Sequence, residues 1–275
     1  MFTGGTTGIP EGDLLSHENP NTAIHMLDRT FIHIPGIGAK TESEIWKRGI
    51  CTWEAFLAHP TPVLSKTRDP LIRQYLKDSQ DRRSEIGFFS ERFPAREMWR
   101  LFGAFRDRAV YLDIETCPGV YGHHEITVIG LYDGREVQTF VNGRNLDDFE
   151  LAIVRYDLVI TFNGSAFDLP IIRRAFPSIS LPPAHIDLRF TLNGLGYRGG
   201  LKKIEQDVGI CRDAHIQGMS GFEAVMLWRA YEWGDESALD TLIQYNTADI
   251  VHLEPLMEMA EREMTQRLLP DPLPA

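Results

Sequence analysis

Three short segments carry side chains that could do chemistry together: Asp113-Ile114-Glu115, Asn163-Gly164-Ser165-Ala166-Phe167-Asp168 and Tyr245-Asn246-Thr247-Ala248-Asp249. The first follows the apolar run Ala109-Val110-Tyr111-Leu112, so a strand is expected there, and residues two apart in a strand point to one face. Two carboxylates on one face beside a core repel each other unless a cation lies between them. Asp168 comes shortly after the buried-looking run Leu158-Val159-Ile160, and open α/β sheets place their sites at the carboxyl ends of such strands. Tyr245 and Asp249 are four apart in a helical segment and share a face, and a lone buried Asp is costly unless paired or metal-bound. As a set, the four carboxylates describe a divalent-metal site with a tyrosine beside it. The chemistry that follows is metal-assisted cleavage of a phosphodiester.

Each segment also has a purely architectural explanation. Asp113 and Glu115 can mark a strand end that turns polar as it meets solvent. Asp168 can serve as the cap of a helix over 169–175, which has Pro170 in its first turn. Tyr245 and Asp249 can be a hydrogen-bonded pair holding two helices together. Asp187, in His185-Ile186-Asp187-Leu188, competes with Asp168 for the place of the remaining carboxylate. His123-His124 reads as a solvated loop pair, and Cys117 as a small packing residue.

The elements that must position these groups can be read from periodicity. Strands are expected at 109–115, 126–132 and 136–141, the last two joined by Asp133-Gly134-Arg135, a hairpin signal. Further strands are expected at 158–162 and 185–190, with helices over 146–155, 169–175, 201–208 and 221–233 and one long helix from Ser237 to about Met264. This is an α/β pattern: an antiparallel meander followed by alternating helix and strand, giving a mixed sheet flanked by helices. Before it, short helices are expected at 41–47, 52–58 (Thr52 as N-cap, Pro60 as stop) and 71–77. A polar, arginine-rich connector is expected at 79–94 and an amphipathic helix at 95–105. The domain reading is a disordered lead-in at 1–22, a small helical module at 23–80, a linker and helix at 81–108, the α/β domain at 109–264 and a loose tail at 265–275.

Net charge is −11, which counts against a uniformly basic nucleic-acid-binding surface. The distribution is uneven: 15 Lys/Arg against 11 Asp/Glu from Asp28 to Arg108, but 13 against 25 from Ala109 onward. A backbone-gripping surface therefore belongs in the first half, and the acidic half gains from bound cations. No apolar run approaches the roughly 18 residues of a membrane span, and the N-terminus lacks the basic start and apolar stretch of a signal peptide. The three scattered cysteines form no metal knuckle or redox pair, so a reducing, cytoplasmic location is expected.

The three motifs, in this order, resemble those of the DEDD superfamily of 3′→5′ exonucleases, which share a ribonuclease H-like fold. Tyrosine at 245 resembles the DEDDy branch, and the context, including Leu201-Lys202-Lys203-Ile204-Glu205 and the Gly36 region, looks most like bacterial YprB-type ribonuclease H-like proteins. The resemblance covers about Ala109 to Met264. It implies that Asp113, Glu115 and Asp249 hold one metal, that Asp113 also holds a second with Asp168 joining directly or through water, and that Tyr245 positions the attacking water. The implied cofactors are two Mg²⁺ or Mn²⁺ ions. The implied partner is nucleic acid, DNA or RNA, engaged at a single-stranded 3′ end, with Asn163 and Phe167 facing it. No membrane or protein partner is implied.

Near the N-terminus, Ile34-Pro35-Gly36-Ile37-Gly38-Ala39-Lys40 resembles the hairpin of helix-hairpin-helix modules, which makes Gly36, Gly38 and Lys40 candidates for gripping a phosphate. A plain glycine turn between helices is the other reading. Two further functions stay open at this stage: a nucleic-acid-binding module with weak or no catalysis, and a protein-binding scaffold with an acidic surface.

Overall fold

A computed structural model describes residues 25–119 and 123–269. The expected lead-in at 1–22 and the end of the expected tail lie outside the described residues.

The centre is a five-stranded mixed sheet in the order β3-β2-β1-β4-β5. Strands β1 (Ala109–Pro118), β2 (His124–Tyr132) and β3 (Val137–Val141) form the antiparallel meander, and β4 (Leu158–Thr161) and β5 (Ala184–Asp187) join β1 in parallel. The arrangement is the mixed α/β sheet expected, an antiparallel meander plus parallel strands. Strict alternation sorts β1 onto two faces. Val110, Leu112 and Ile114 pack with Ile129, Leu131, Phe149 and Ile172 on one side, while Ala109 and Tyr111 enter the core on the other. Asp113 and Glu115 continue the row of Ala109 and Tyr111. The register shifts between Glu115 and Thr116, where Thr127 of β2 is the extra residue; such a bulge increases the local twist of the strand pair.

The N-terminal half is helical: α1 (Met26–Arg29), α2 (Ala39–Lys47), α3 (Trp53–Ala58), α4 (Asp69–Asp81), α5 (Ile86–Ser90) and α6 (Phe102–Phe105). Thr52 caps α3 by accepting from Ala55 N at 3.0 Å. The stretch 79–94 is not the polar connector expected from its arginines. It carries α5, whose Ile86, Phe88 and Phe89 are buried, and Arg82 and Arg92 lie over the Phe88 ring at 4.5 and 3.9 Å from its centroid. Its arginines cover apolar surface with their stems and faces, which composition alone does not reveal. The expected helix at 95–105 is a 3₁₀ turn, Ala95–Leu101, leading into α6. Leu27, Phe31, Phe89, Trp99 and Phe102 share one continuous core with Tyr111, Leu158, Ile160 and Ile186 of the sheet.

Helices α7 (Phe149–Ile153), α8 (Asp168–Ala175), α9 (Leu188–Leu195), α10 (Leu201–Val208), α11 (Gly221–Glu232), α12 (Glu236–Val251) and α13 (Leu253–Leu268) complete the chain. Two expectations are corrected. The strand over 185–190 ends at Asp187, whose side chain accepts from Arg189 N and starts α9; the helix-capping chemistry of Asp187 overrides the apolar run. The long helix over 237–264 is two helices broken at His252. Pro255 is the reason: it has no N–H for the Val251 carbonyl and its ring crowds that position.

Candidate metal centre

Asp113, Glu115 and Asp249 each offer a carboxylate oxygen such that the three atoms lie within 4.8 Å of one another. β1 supplies two of them and α12, packed across the same face, supplies the third. Glu115 and Asp249 are buried and Asp113 is half-buried. Burial, then the facing charges of Asp168, Asp249 and Glu115, raise the Asp113 carboxyl well above the usual carboxylate range. Burial and Asp249 do the same for Glu115. Asp249 is raised by burial even though Arg212 and Lys202 pull it down. Three carboxylates that repel one another while largely withdrawn from water are a donor set matched to a hard divalent cation, whose charge would favour their ionised forms. The residues present therefore fit such an ion.

Asp168 sits beside this group. It is the first residue of α8, and its Oδ1 accepts from Ile114 N, between the two β1 carboxylates, at 3.2 Å. Burial pushes its carboxyl up to about 7, against the opposing effect of the backbone N–H groups it accepts from. Asp187 is occupied elsewhere. Its oxygens accept from Asn163 N (2.8 Å), Ser165 N (3.1 Å), the Ser165 hydroxyl and Arg189 N (3.2 Å). Asp187 thus shapes the loop before α8, in which Asn163 adopts a left-handed φ of 70°. Gly164 is required there, because a Cβ would lie 2.2 Å from Thr161 Oγ1.

Tyr245 is buried on α12, one turn before Asp249, and burial plus the charges of Asp249 and Glu115 push its phenol further up, so it stays neutral. Sequence reading assigned no role to several side chains that surround this group. Lys202 Nζ donates to Tyr245 Oη at 2.5 Å and lies 4.4 Å from the ring centroid. Asn246 Nδ2 donates to Asp113 Oδ2 at 3.0 Å. Arg212 bonds Asp249 and, through two nitrogens, Glu205, which also contacts His252. Asn246 had a legible signal, three residues from Asp249 on one helix face. Arg212 had none, since it lies in an aperiodic loop.

Beside the carboxylates lies an open groove of about 680 Å³, lined by Phe162, Asn163, Phe167, Arg189, Arg198 and Lys202 among others. Arg189 is held by Asn163 Oδ1 (2.5 Å) and Arg198 by the Asn193 side-chain carbonyl (3.2 Å). Among the described residues Arg189, Arg198 and Lys202 form no direct ion pair, although the Lys202 charge acts on Asp113, Glu115 and Asp249, and Phe167 stacks edge-to-face on His124 at 5.4 Å. Gly36, Gly38 and Lys40 belong to a different feature, the turn between α1 and α2. Gly36 has φ 80° and its carbonyl accepts from Arg68 (2.8 Å), Ile34 and Ile37 are buried, and Gly38 and Lys40 are exposed.

Among curated proteins none matches this chain. Solved structures similar to part of it include the family B DNA polymerase of the archaeon Pyrobaculum calidifontis (15% identity, 57% of this chain and 24% of that one, TM-score 0.42). They also include Escherichia coli RNase D, described as an exoribonuclease involved in structured RNA processing (19%, 62% and 44%, TM-score 0.41), and the EXO domain of Aedes aegypti Nibbler (13%, 63% and 91%, TM-score 0.42). The chain thus spans under half the length of the first two. The sequence profile of the RNase_H superfamily matches residues 110–261, more than half of the chain and the whole span that carries the carboxylates. The protein belongs to the RNase_H superfamily.

Proposed function

We propose that this protein is a metal-dependent nuclease of the DEDDy type, most similar to YprB-type proteins, which removes nucleotides from a single-stranded 3′ end of DNA or RNA. The observation that carries this reading is the convergence of Asp113, Glu115 and Asp249 from two elements into one buried group. These three would hold a divalent ion, Mg²⁺ or Mn²⁺, and Asp168 would help to hold a second. When bound, the metal supplies Lewis-acid polarisation of the phosphate and a more acidic water.

The side chains of the chain itself do the rest. Tyr245, neutral throughout the physiological range, orients the attacking water by hydrogen bonding and does not serve as the base. Lys202 donates to Tyr245 Oη and cannot accept, so the phenol's own proton is directed away from it, toward the reacting group. Arg189, Arg198 and Lys202, unpaired by carboxylates in a chain of net charge −11, make the groove the cationic track that a phosphodiester backbone needs, with Phe162 and Phe167 as apolar surfaces for the terminal base. The turn at Gly36, Gly38 and Lys40 is a second, more remote phosphate contact in this reading.

The test is incubation with 3′- and 5′-labelled single- and double-stranded DNA and RNA, with Mg²⁺, Mn²⁺ or chelator. Release of mononucleotides from the 3′ end, abolished by chelator and by Asp113→Asn, is expected. Equal degradation by the Asp113→Asn protein would sink the assignment.

A further inference from the structure

Arg212 brings a positive charge into contact with one of the proposed metal ligands, an arrangement that by itself would oppose a cation. Its side chain is 5% exposed, and Nη2 donates to Asp249 Oδ1. The guanidinium is not free to leave. Nε and Nη2 also donate to Glu205 Oε2 and Oε1 at 2.7 and 2.6 Å, a two-pronged pair with a carboxylate that is itself 2% exposed. Glu205 comes from α10, Arg212 from the loop after it and Asp249 from α12, so the pair ties three segments together. His252, at the break between α12 and α13, contacts the same Glu205 Oε1 at 3.1 Å.

Charge counting explains why a glutamate stands behind the arginine. An arginine alone would cancel the charge of Asp249 and repel a divalent ion a few ångströms away. Paired with Glu205, the guanidinium is neutral in sum while its N–H groups keep their directions. The three carboxylates then retain their negative charge for a cation, while the bond to Oδ1 fixes how the Asp249 carboxylate is turned.

Resting on the metal-site reading above, we infer that Glu205 and Arg212 form a charge-neutral clamp that fixes the orientation of the Asp249 carboxylate as a metal ligand. Arg212 is a positioning residue acting through Asp249, and Glu205 keeps its charge from weakening the ion's binding.

The test is Mn²⁺ binding to the full chain without nucleic acid, with free ion read by electron paramagnetic resonance and folding checked by thermal unfolding. Glu205→Gln, which leaves the guanidinium uncompensated, is expected to weaken Mn²⁺ binding by about tenfold or more. Arg212→Gln should hold Mn²⁺ at least as tightly as wild type while kcat falls, because Asp249 gains freedom but loses no charge. The Glu205→Gln/Arg212→Gln double variant, neutral again, should return to within about tenfold of wild type and below the Arg212→Gln single variant. A merely structural role would make all three lose affinity and stability together, and that pattern overturns the inference. If Glu205→Gln does not fold, the double variant decides, and a loss beyond about tenfold overturns the clamp. Wild-type protein that binds no Mn²⁺ would sink the metal-site reading itself, whereas binding that is indifferent to all three variants sinks only the clamp.

Discussion

Asn246 reaches Asp113 because Gly130 has no side chain. Asn246 Nδ2 donates to Asp113 Oδ2 at 3.0 Å, while Gly130, the β2 partner of Asp113 in the antiparallel ladder, leaves the space for that amide. A Cβ at residue 130 would lie 2.0 Å from Asn246 Oδ1 and 3.0 Å from Ile250 Cδ1. Gly130→Ala should therefore push Asn246 and α12 away from β1. Expected are a loss of about 1–3 kcal/mol in unfolding free energy, from overpacking, and a fall in the proposed nuclease activity larger than that of Asn246→Ala. Urea unfolding and turnover of the two variants check this, and an alanine variant with wild-type stability and activity would contradict it.

Lys202 and Tyr245 should behave as one unit. Lys202→Met keeps the apolar stem but removes the donor to Tyr245 Oη; Tyr245→Phe removes the acceptor. Each is expected to lower kcat by about 10²-fold, in the range of a positioned proton-transfer or hydrogen-bonding group. The double variant should be little worse than either single one. Additive losses in a double-mutant cycle would show that the two act separately.

A buried ion pair holds the N-terminal helices to the segment leading into the sheet. Arg100 Nη1 donates to Glu42 Oε2 at 2.9 Å and to Thr30 Oγ1 at 2.8 Å, with both charged side chains 1% exposed. Glu42 Oε1 also accepts from Thr30 Oγ1 and Phe31 N. Arg100 Nε also pairs with Glu97 at 2.9 Å, so Arg100→Met, which strands the buried Glu42, should cost about 3–5 kcal/mol, and Glu42→Gln, which leaves Arg100 its second partner, less. The double Glu42→Met/Arg100→Met variant should recover part of that. Denaturant unfolding measures both, and single variants costing under about 1 kcal/mol would contradict the pairing.

His33 makes stability depend on pH below neutrality. Its ring lies among Trp53, Phe89 and Phe93 at 5.3–5.7 Å. Ser79 Oγ donates its proton to the Tyr75 carbonyl, so it accepts from His33 Nε2 at 2.9 Å, and His33 is neutral with its proton on Nε2. Burial, then Arg92 and Arg100, lower its pKa to about 3. The unfolded chain takes up this proton near pH 6.5 and the folded chain only near 3. The unfolded state therefore binds more protons between these values. Its contribution is full above about pH 6.5 and is lost as pH falls toward 3, at up to about 1.4 kcal/mol per pH unit. His33→Gln, which retains a donor for Ser79, should flatten the slope of unfolding free energy between pH 6.5 and 4 relative to wild type. Parallel slopes would show that another group is responsible.

The α/β order, the hairpin at Asp133-Gly134-Arg135 and the carboxylate motifs are legible in the sequence because they are local. Alternation of period two puts Asp113 and Glu115 on one face, and a four-residue spacing does the same for Tyr245 and Asp249. Helix ends set by a single residue were less visible: the Asp187 cap shortened a strand, and Pro255 divided a helix that the apolar pattern ran together. Only the tertiary structure brings α12 against β1 to close the three carboxylates into one group, and only it separates Asp168, which accepts from Ile114 N, from Asp187, which is engaged by its own loop. The same holds for Lys202, Glu205 and Arg212. Their roles depend on what lies opposite them in space, and no periodicity records a contact between residues 37 apart in the chain, as Arg212 and Asp249 are.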